Sequence, residues 1–124
     1  MSTNNINLEA IRKNPLAIKD IENPTKEEQL EAVKLNAWVI QFIKNPEKDV
    51  QIAAVQTNAY SVQFLEDPED EVILEALKKN AISIELIKNP PKHLQLEAVK
   101  INKFAIDFIK NPDEEVLNYI KNKC

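Results

Sequence analysis

The sequence predicts an all-α protein, an α-solenoid of five helix-turn-helix repeats of 22 residues plus a closing helix, and three observations carry that expectation. Pro24, Pro46, Pro68, Pro90 and Pro112 stand 22 residues apart, each preceded by Asn or Asp (Asn23, Asn45, Asp67, Asn89, Asn111). Three more rows keep the same spacing without insertion or deletion: Leu8, Leu30, Ile52, Leu74 and Leu96; Ala10, Ala32, Ala54, Ala76 and Ala98; Asn14, Asn36, Asn58, Asn80 and Asn102. Finally, the 124 residues include no Gly. Gly is the default residue for tight hairpins and for loops whose backbone must approach a phosphate, so strand-rich folds and nucleotide-binding loops are disfavoured. A fixed period of roughly 20–50 residues is the signature of stacked repeats.

The chain reads as one domain, 1–124, divided into units 1–22, 23–44, 45–66, 67–88 and 89–110 and a closing helix 111–124. In unit one, Asp20 stands where later units have Phe42, Phe64, Leu86 and Phe108, which gives the first unit a more polar outer side. Unit two repeats the pattern with Asn23-Pro24 at its start. Unit three shows the local logic most clearly. Asn45 is expected as N-cap and Pro46 as the first helical residue, where its missing N–H costs nothing. Glu47 and Asp49 then favour the helix dipole, and Val50, Ile52, Ala54 and Val55 form an apolar arc. Asn58 is expected to take the left-handed conformation at the corner. A shorter helix follows over Tyr60 to Glu66, and Asp67-Pro68 ends it and starts unit four. Unit five repeats this from Asn89-Pro90. In the closing helix Asn118 and Lys121 replace the recurring Leu and Val, as a polar end cap would, although Ile6, Leu117 and Ile120 keep both ends partly apolar. A monomer is expected, with weak end-to-end association allowed. Isolated helices below about 12–15 residues are marginal in water, so the units must stack. With roughly 8–10 Å between packed helices, the stack would run on the order of 50 Å.

The segments LEAVKLNAWVIQFIKNP (30–46) and LEAVKINKFAIDFIKNP (96–112) resemble the short helical repeats of a family described only as a domain of unknown function, found in bacteria, phages and large DNA viruses, with a pattern close to L-x-A-V-K-x-N-G. The resemblance spans all five units. The chain departs from the pattern at its Gly, carrying Pro15, Ala37, Ala59, Ala81 and Lys103 there. The resemblance implies a HEAT-like solenoid and no catalytic residues. By analogy with mobile genetic elements, it also suggests an inhibitor or regulator of a partner complex, such as a host defence complex.

Net charge is −4 and the isoelectric point is near 5.1, so no overall positive field recruits nucleic acid or an anionic membrane. No apolar run approaches the roughly 20 residues of a membrane span, and the first residues lack a secretory pattern. The single Cys, Cys124, excludes an internal disulfide framework, and a cytoplasmic setting fits best.

Four surface features bear on function. Trp38, Tyr60 and Phe104 share one row, and Phe42, Phe64 and Phe108 the row four residues on; the favoured reading is packing between long and short helices, with Trp38 and Tyr60 partly exposed as anchors. The recurring Asn row is expected to cap the long helices and tie the corners. Arg12, Lys34, Lys78 and Lys100 form a basic row that nucleic acid could use, but Glu9, Glu31, Glu75 and Glu97 stand three residues earlier and are expected to neutralise it. Glu66, Asp67, Glu69, Asp70 and Glu71 form an acidic edge, with Glu27, Glu28, Asp113, Glu114 and Glu115 extending the theme, suited to a basic protein surface.

Catalytic and metal constellations are not expected. His93 is the only His, and Ser61 and Ser83 lie on mostly buried short helices without a base nearby. The expectation is therefore a non-enzymatic, cofactor-free, protein-binding solenoid, with a nucleic-acid-binding repeat protein as the alternative. The candidate protein-binding set is Trp38, Gln41, Tyr60, Gln63 and Glu66, then Asp67, Glu69, Asp70 and Glu71, then Glu85, Lys88, Asp107 and Lys110. The alternative set is Arg12, Lys34, Lys78 and Lys100.

Overall fold

Six long helices and five short ones alternate along the chain in the computed structural model, which describes residues 3–123; Cys124 lies outside the described residues. The long α-helices are α1 (Thr3–Lys13), α2 (Lys26–Leu35), α3 (Lys48–Thr57), α4 (Asp70–Lys79), α5 (Lys92–Ile101) and α6 (Glu114–Lys123). The short ones are 3₁₀ helices, η1 (Pro15–Asp20), η2 (Ala37–Phe42), η3 (Ala59–Phe64), η4 (Ala81–Leu86) and η5 (Lys103–Phe108). Each long helix packs on the next long helix and each short helix on the next short helix, giving two layers stacked in one direction. The protein is an all-α solenoid.

The 3₁₀ winding has a geometric reason. At about 2.0 Å rise per residue, six residues span about 12 Å, against about 9 Å for the same six in an α-helix. The short layer thereby comes closer to the roughly 15 Å of a ten-residue α-helix with fewer residues.

The corners depart from the sequence expectation in two linked ways. Asn36, Asn58, Asn80 and Asn102 are extended, with φ between −149 and −160°, and are not left-handed. The left-handed residues are Asn23, Asn45, Asp67, Asn89 and Asn111, each immediately before Pro, with φ of 46–54°. In a chain without Gly, Asn and Asp are the residues that tolerate this conformation. The long helices consequently start two residues later than the Asn-Pro steps suggested. Their N-caps are Thr25, Glu47, Glu69 and Pro91, so Pro46 is not the first helical residue. The chain needs those two extended residues, at about 3.3 Å each, to cross from the short layer back to the long one.

The Asn row does cap helices, but the short ones. The side-chain oxygens of Asn14, Asn36, Asn58, Asn80 and Asn102 accept from the backbone N–H two residues on, at 3.0–3.1 Å. Their own backbone N–H groups close the preceding long helix, as in Asn36 to the Ala32 carbonyl at 2.9 Å. A second set of polar ties was not foreseen: Gln29, Gln51 and Gln95 donate from Nε2 to the carbonyls of Pro24, Pro46 and Pro90 at 2.8–3.0 Å.

The interior lies between the layers. Ala32, Ala54, Ala76 and Ala98 are fully buried, as are Val33, Val55 and Leu77 beside them. Ile18, Ile40, Val62 and Ile84 meet them from the short helices. Ser61 and Ser83 are also fully buried, and their hydroxyl oxygens have no hydrogen-bond partner among the described residues. Glu28 corrects the acidic-edge expectation: it is 1% exposed, in the row otherwise filled by Val50, Val72, Leu94 and Val116. Its carboxylate accepts from the Thr25 backbone N–H at 2.9 Å, as half of a capping box, and from Asn7 Nδ2 at 3.0 Å. At the ends, Asp20, Asn118 and Lys121 are exposed, but so are Ile6 and Leu117.

Candidate recognition surface

The short helices build an apolar outer row. A 3₁₀ helix has three residues per turn, so residues i and i+3 eclipse. Trp38 and Gln41 therefore share an outward ridge, as do Tyr60 and Gln63, Ile82 and Glu85, and Phe104 and Asp107. Gln41 and Gln63 settle on their own ridge, donating from Nε2 to the Trp38 and Tyr60 carbonyls at 3.0 Å.

The rings divide: Phe64 packs against the interior as the sequence suggested, and Phe42, Phe104 and Phe108 do not. Trp38 is 38% exposed and Phe104 62%, and Leu16, Phe42 and Phe108 are also exposed. Tyr60, Phe64, Ile82 and Leu86 are half-buried. Aliphatic side chains occupy most of the interlayer space, and Trp38, Phe42, Phe104 and Phe108 sit at its outer margin. Trp38 meets Phe64 of the next repeat edge to face, with centroids 5.1 Å apart, and the Lys19 ammonium lies 5.6 Å from the Phe42 centroid. The Tyr60 hydroxyl accepts from Asn80 Nδ2 at 3.2 Å, which binds the ring to the following corner. Leu35 and Ile101, at the last turns of α2 and α5, are exposed three residues before Trp38 and Phe104. Leu16, Phe42, Phe104 and Phe108 were missing from the anchor set; Leu16 and Phe104 stand in the same 22-residue row as Trp38, and Phe108 in the same row as Phe42, and that register was the signal that would have grouped them.

The starts of the long helices behave differently. Lys26 Nζ lies 2.6 Å from Asp49, Lys48 3.0 Å from Glu71, and Lys92 2.9 Å from Glu115. The remaining rung is reversed in sign, with Asp70 2.6 Å from His93 Nε2. Hydrogen bonding to Asp49 holds the Lys26 ammonium above its ordinary pKa, and the same bond holds Asp49 below the usual carboxylate value. Lys48 is raised by its hydrogen bond to Glu71 and Lys92 by its bond to Glu115. Of the predicted acidic edge, Glu69, Asp70 and Glu71 are thus engaged by Lys48 and His93, and Glu66 and Asp67 make no ion pair with described residues.

The basic row is broken up. Gln56 interrupts it, Arg12 reaches Glu31 of the next helix at 3.3 Å, and Lys100 stands 5.9 Å from the Tyr119 centroid. Among the described residues of this row, only Lys78 pairs within its own helix, with Glu75 at 3.4 Å. The Glu75 carboxyl is held below its ordinary pKa first by the Gln56 amide and then by Lys78. Lys34 faces the row position of Ala53 and makes no ion pair with described residues. Among the described residues, no cluster of three or more His, Cys, Asp or Glu is placed to hold a metal ion, and no helix is long and apolar enough to cross a membrane. Gln41, Gln63, Glu66, Glu85, Lys88, Asp107 and Lys110 are all exposed.

Compared with protein-family models, curated proteins and solved structures, the chain finds no match, so its role is inferred from its own surface.

Proposed function

We propose that the chain is a non-enzymatic protein-binding solenoid that recognises its partner through the outer face of its short helices. The observation that carries this reading is the exposed apolar row containing Leu16, Trp38, Phe42, Phe104 and Phe108. Contiguous apolar surface on a folded chain marks an interaction site more often than chance scatter does, and Trp and Tyr are favoured interface anchors. Covering a partner surface with a rigid stack is how such a chain would regulate or inhibit a complex. The basic row, interrupted at Gln56 and engaged at Arg12, Lys78 and Lys100, gives the nucleic-acid reading less support.

The test is retention of nuclease-treated host proteins on the immobilised full chain. Retention of a defined protein that survives Lys34→Glu with Lys100→Glu, and is lost with Trp38→Ala and Phe104→Ala, is the expected result. Retention that vanishes with nuclease, or with the charge reversals alone, overturns the proposal.

A further inference from the structure

We infer that the cleft between repeats four and five seats a segment of the partner in which an apolar side chain lies between a cationic group and a carboxylate; this rests on the protein-binding reading above. The cleft, about 930 Å³, opens between the ends of η4 and η5. That is toward the upper end of the roughly 300–1,000 Å³ of ligand pockets. Glu85 and Asp107 line it as an acidic row, Lys88 and Lys110 as a basic row, and Leu86 and Phe108 stand between those rows in sequence.

Two features set this place apart from the equivalent positions in repeats two and three. The first is the state of its charges. Gln41 and Gln63 satisfy themselves on their own helix, but a carboxylate has no proton to donate to a carbonyl, so Glu85 and Asp107 have no such tie. Neither they nor Lys88 and Lys110 form an ion pair with any described residue; Lys44 and Glu66 of repeats two and three form none either, so the distinguishing charges are the acidic row, Glu85 and Asp107 in place of Gln41 and Gln63. The second is size. Leu86 stands where repeats two, three and five carry Phe42, Phe64 and Phe108, so the cleft is lined there by a smaller side chain.

Rows of opposite sign, three residues apart, select an occupant whose own charges are segregated. A polyanion would gain at Lys88 and Lys110 but be repelled at Glu85 and Asp107, and a purely basic segment would suffer the reverse. An amphipathic peptide stretch with Lys or Arg on one side of a Leu or Phe and Glu or Asp on the other satisfies both rows and covers Leu86 and Phe108.

The experiment is fluorescence anisotropy of the full chain with labelled synthetic peptides in which two lysines and two glutamates flank Leu-Phe, made in both chain directions, beside peptides of identical composition with alternating charges. Binding by one segregated peptide, about tenfold tighter than by its alternating control, is the expected result. Leu86→Phe, which installs the ring that three other repeats already accommodate, should abolish it. Glu85→Gln with Asp107→Gln, which installs the Gln of repeats two and three, should weaken it about tenfold at low salt and leave helicity unchanged. Equal binding of segregated and alternating peptides, or binding by neither, overturns the inference. Binding untouched by Leu86→Phe but lost with Trp38→Ala also overturns it, while leaving the wider protein-binding proposal intact.

Discussion

Along the starts of the long helices, charge is answered by the neighbouring repeat, with Lys26, Lys48 and Lys92 facing Asp49, Glu71 and Glu115. Along the short helices the same 22-residue period leaves rings half in solvent and, at repeats four and five, a cleft lined by Glu85, Lys88, Asp107 and Lys110, which make no ion pair with described residues. The difference shows what a one-dimensional stack permits. Among the described residues the main helix contacts run between neighbouring repeats, so each row of the repeat is a surface that can be closed or left open with little effect on the others. The closed edge carries one matched charge pair at each of four repeat junctions; the open face is where sequence varies from repeat to repeat, as Trp38, Tyr60, Ile82 and Phe104 do in one position.

That contrast predicts a separation of stability from binding. Leu77→Ala, fully buried between the layers, should cost about 2–5 kcal/mol in denaturant unfolding. Trp38→Ala on the open face should cost clearly less than Leu77→Ala and remove partner binding. If Trp38→Ala destabilises as much as Leu77→Ala, the row belongs to the core and the open-face reading fails. Next in size is Asn80→Ala. It removes the cap on Ile82 N–H and the bond to the Tyr60 hydroxyl together, for about 1–2 kcal/mol. Asn36→Ala, whose side chain serves only as a cap in the bonds described, should cost less; equal losses would show that the tie to Tyr60 adds nothing. Ser61→Ala and Ser83→Ala remove buried hydroxyls that have no partner among the described residues, so urea midpoints should stay level or rise. A fall of more than about 1 kcal/mol would mean that those hydroxyls are hydrogen-bonded in solution.

The period made the stack legible, because a strict ruler of Pro, Ala and Asn leaves little freedom in how units follow one another. The corner was not legible. Asn occupies both candidate left-handed positions, Asn45 and Asn58, and its tolerance for that conformation is the same at each. The choice is made by the crossing between layers, which needs extended residues after the reversal and so places it before Pro46. The winding of the short helices was hidden for a similar reason: six residues between corners carry the same apolar pattern whether wound at 3.0 or 3.6 residues per turn. That choice decides whether Trp38 shares its ridge with Gln41 or with Phe42; the exposure of Phe42 and Phe108 beside that ridge is legible only in the packed structure. Glu28, by contrast, was readable. Aligned against Val50, Val72, Leu94 and Val116 it stands in an interior row, and the Thr25-x-x-Glu28 spacing of a capping box marks what holds it there.

The smallest effects belong to the closed edge, where the groups are exposed and salt screens them. Lys26, Lys48 and Lys92 have folded pKa values raised above 10.5, so their contribution is complete below that value and is lost as pH rises through the raised ones. Asp49 and Glu75 have folded values below 3.8 and 4.5, so their contribution is present above those values and is lost as pH falls through the depressed ones. Thermal unfolding at low salt should therefore show a shallow plateau between the two limits, flattened further by molar salt. The reversed rung is the sharper probe. It is an ion pair only while the His93 imidazole is protonated. Asp70→Lys alone sets a cation against the imidazole, and His93→Glu alone sets two carboxylates against each other; each should lower the unfolding temperature slightly. Both together restore the polarity of the other three rungs and should recover the loss in a double-mutant cycle. If the double variant shows only the sum of the single losses, the matched charges are bystanders of helix starts that are acidic for the dipole alone, and the edge is closed by backbone geometry.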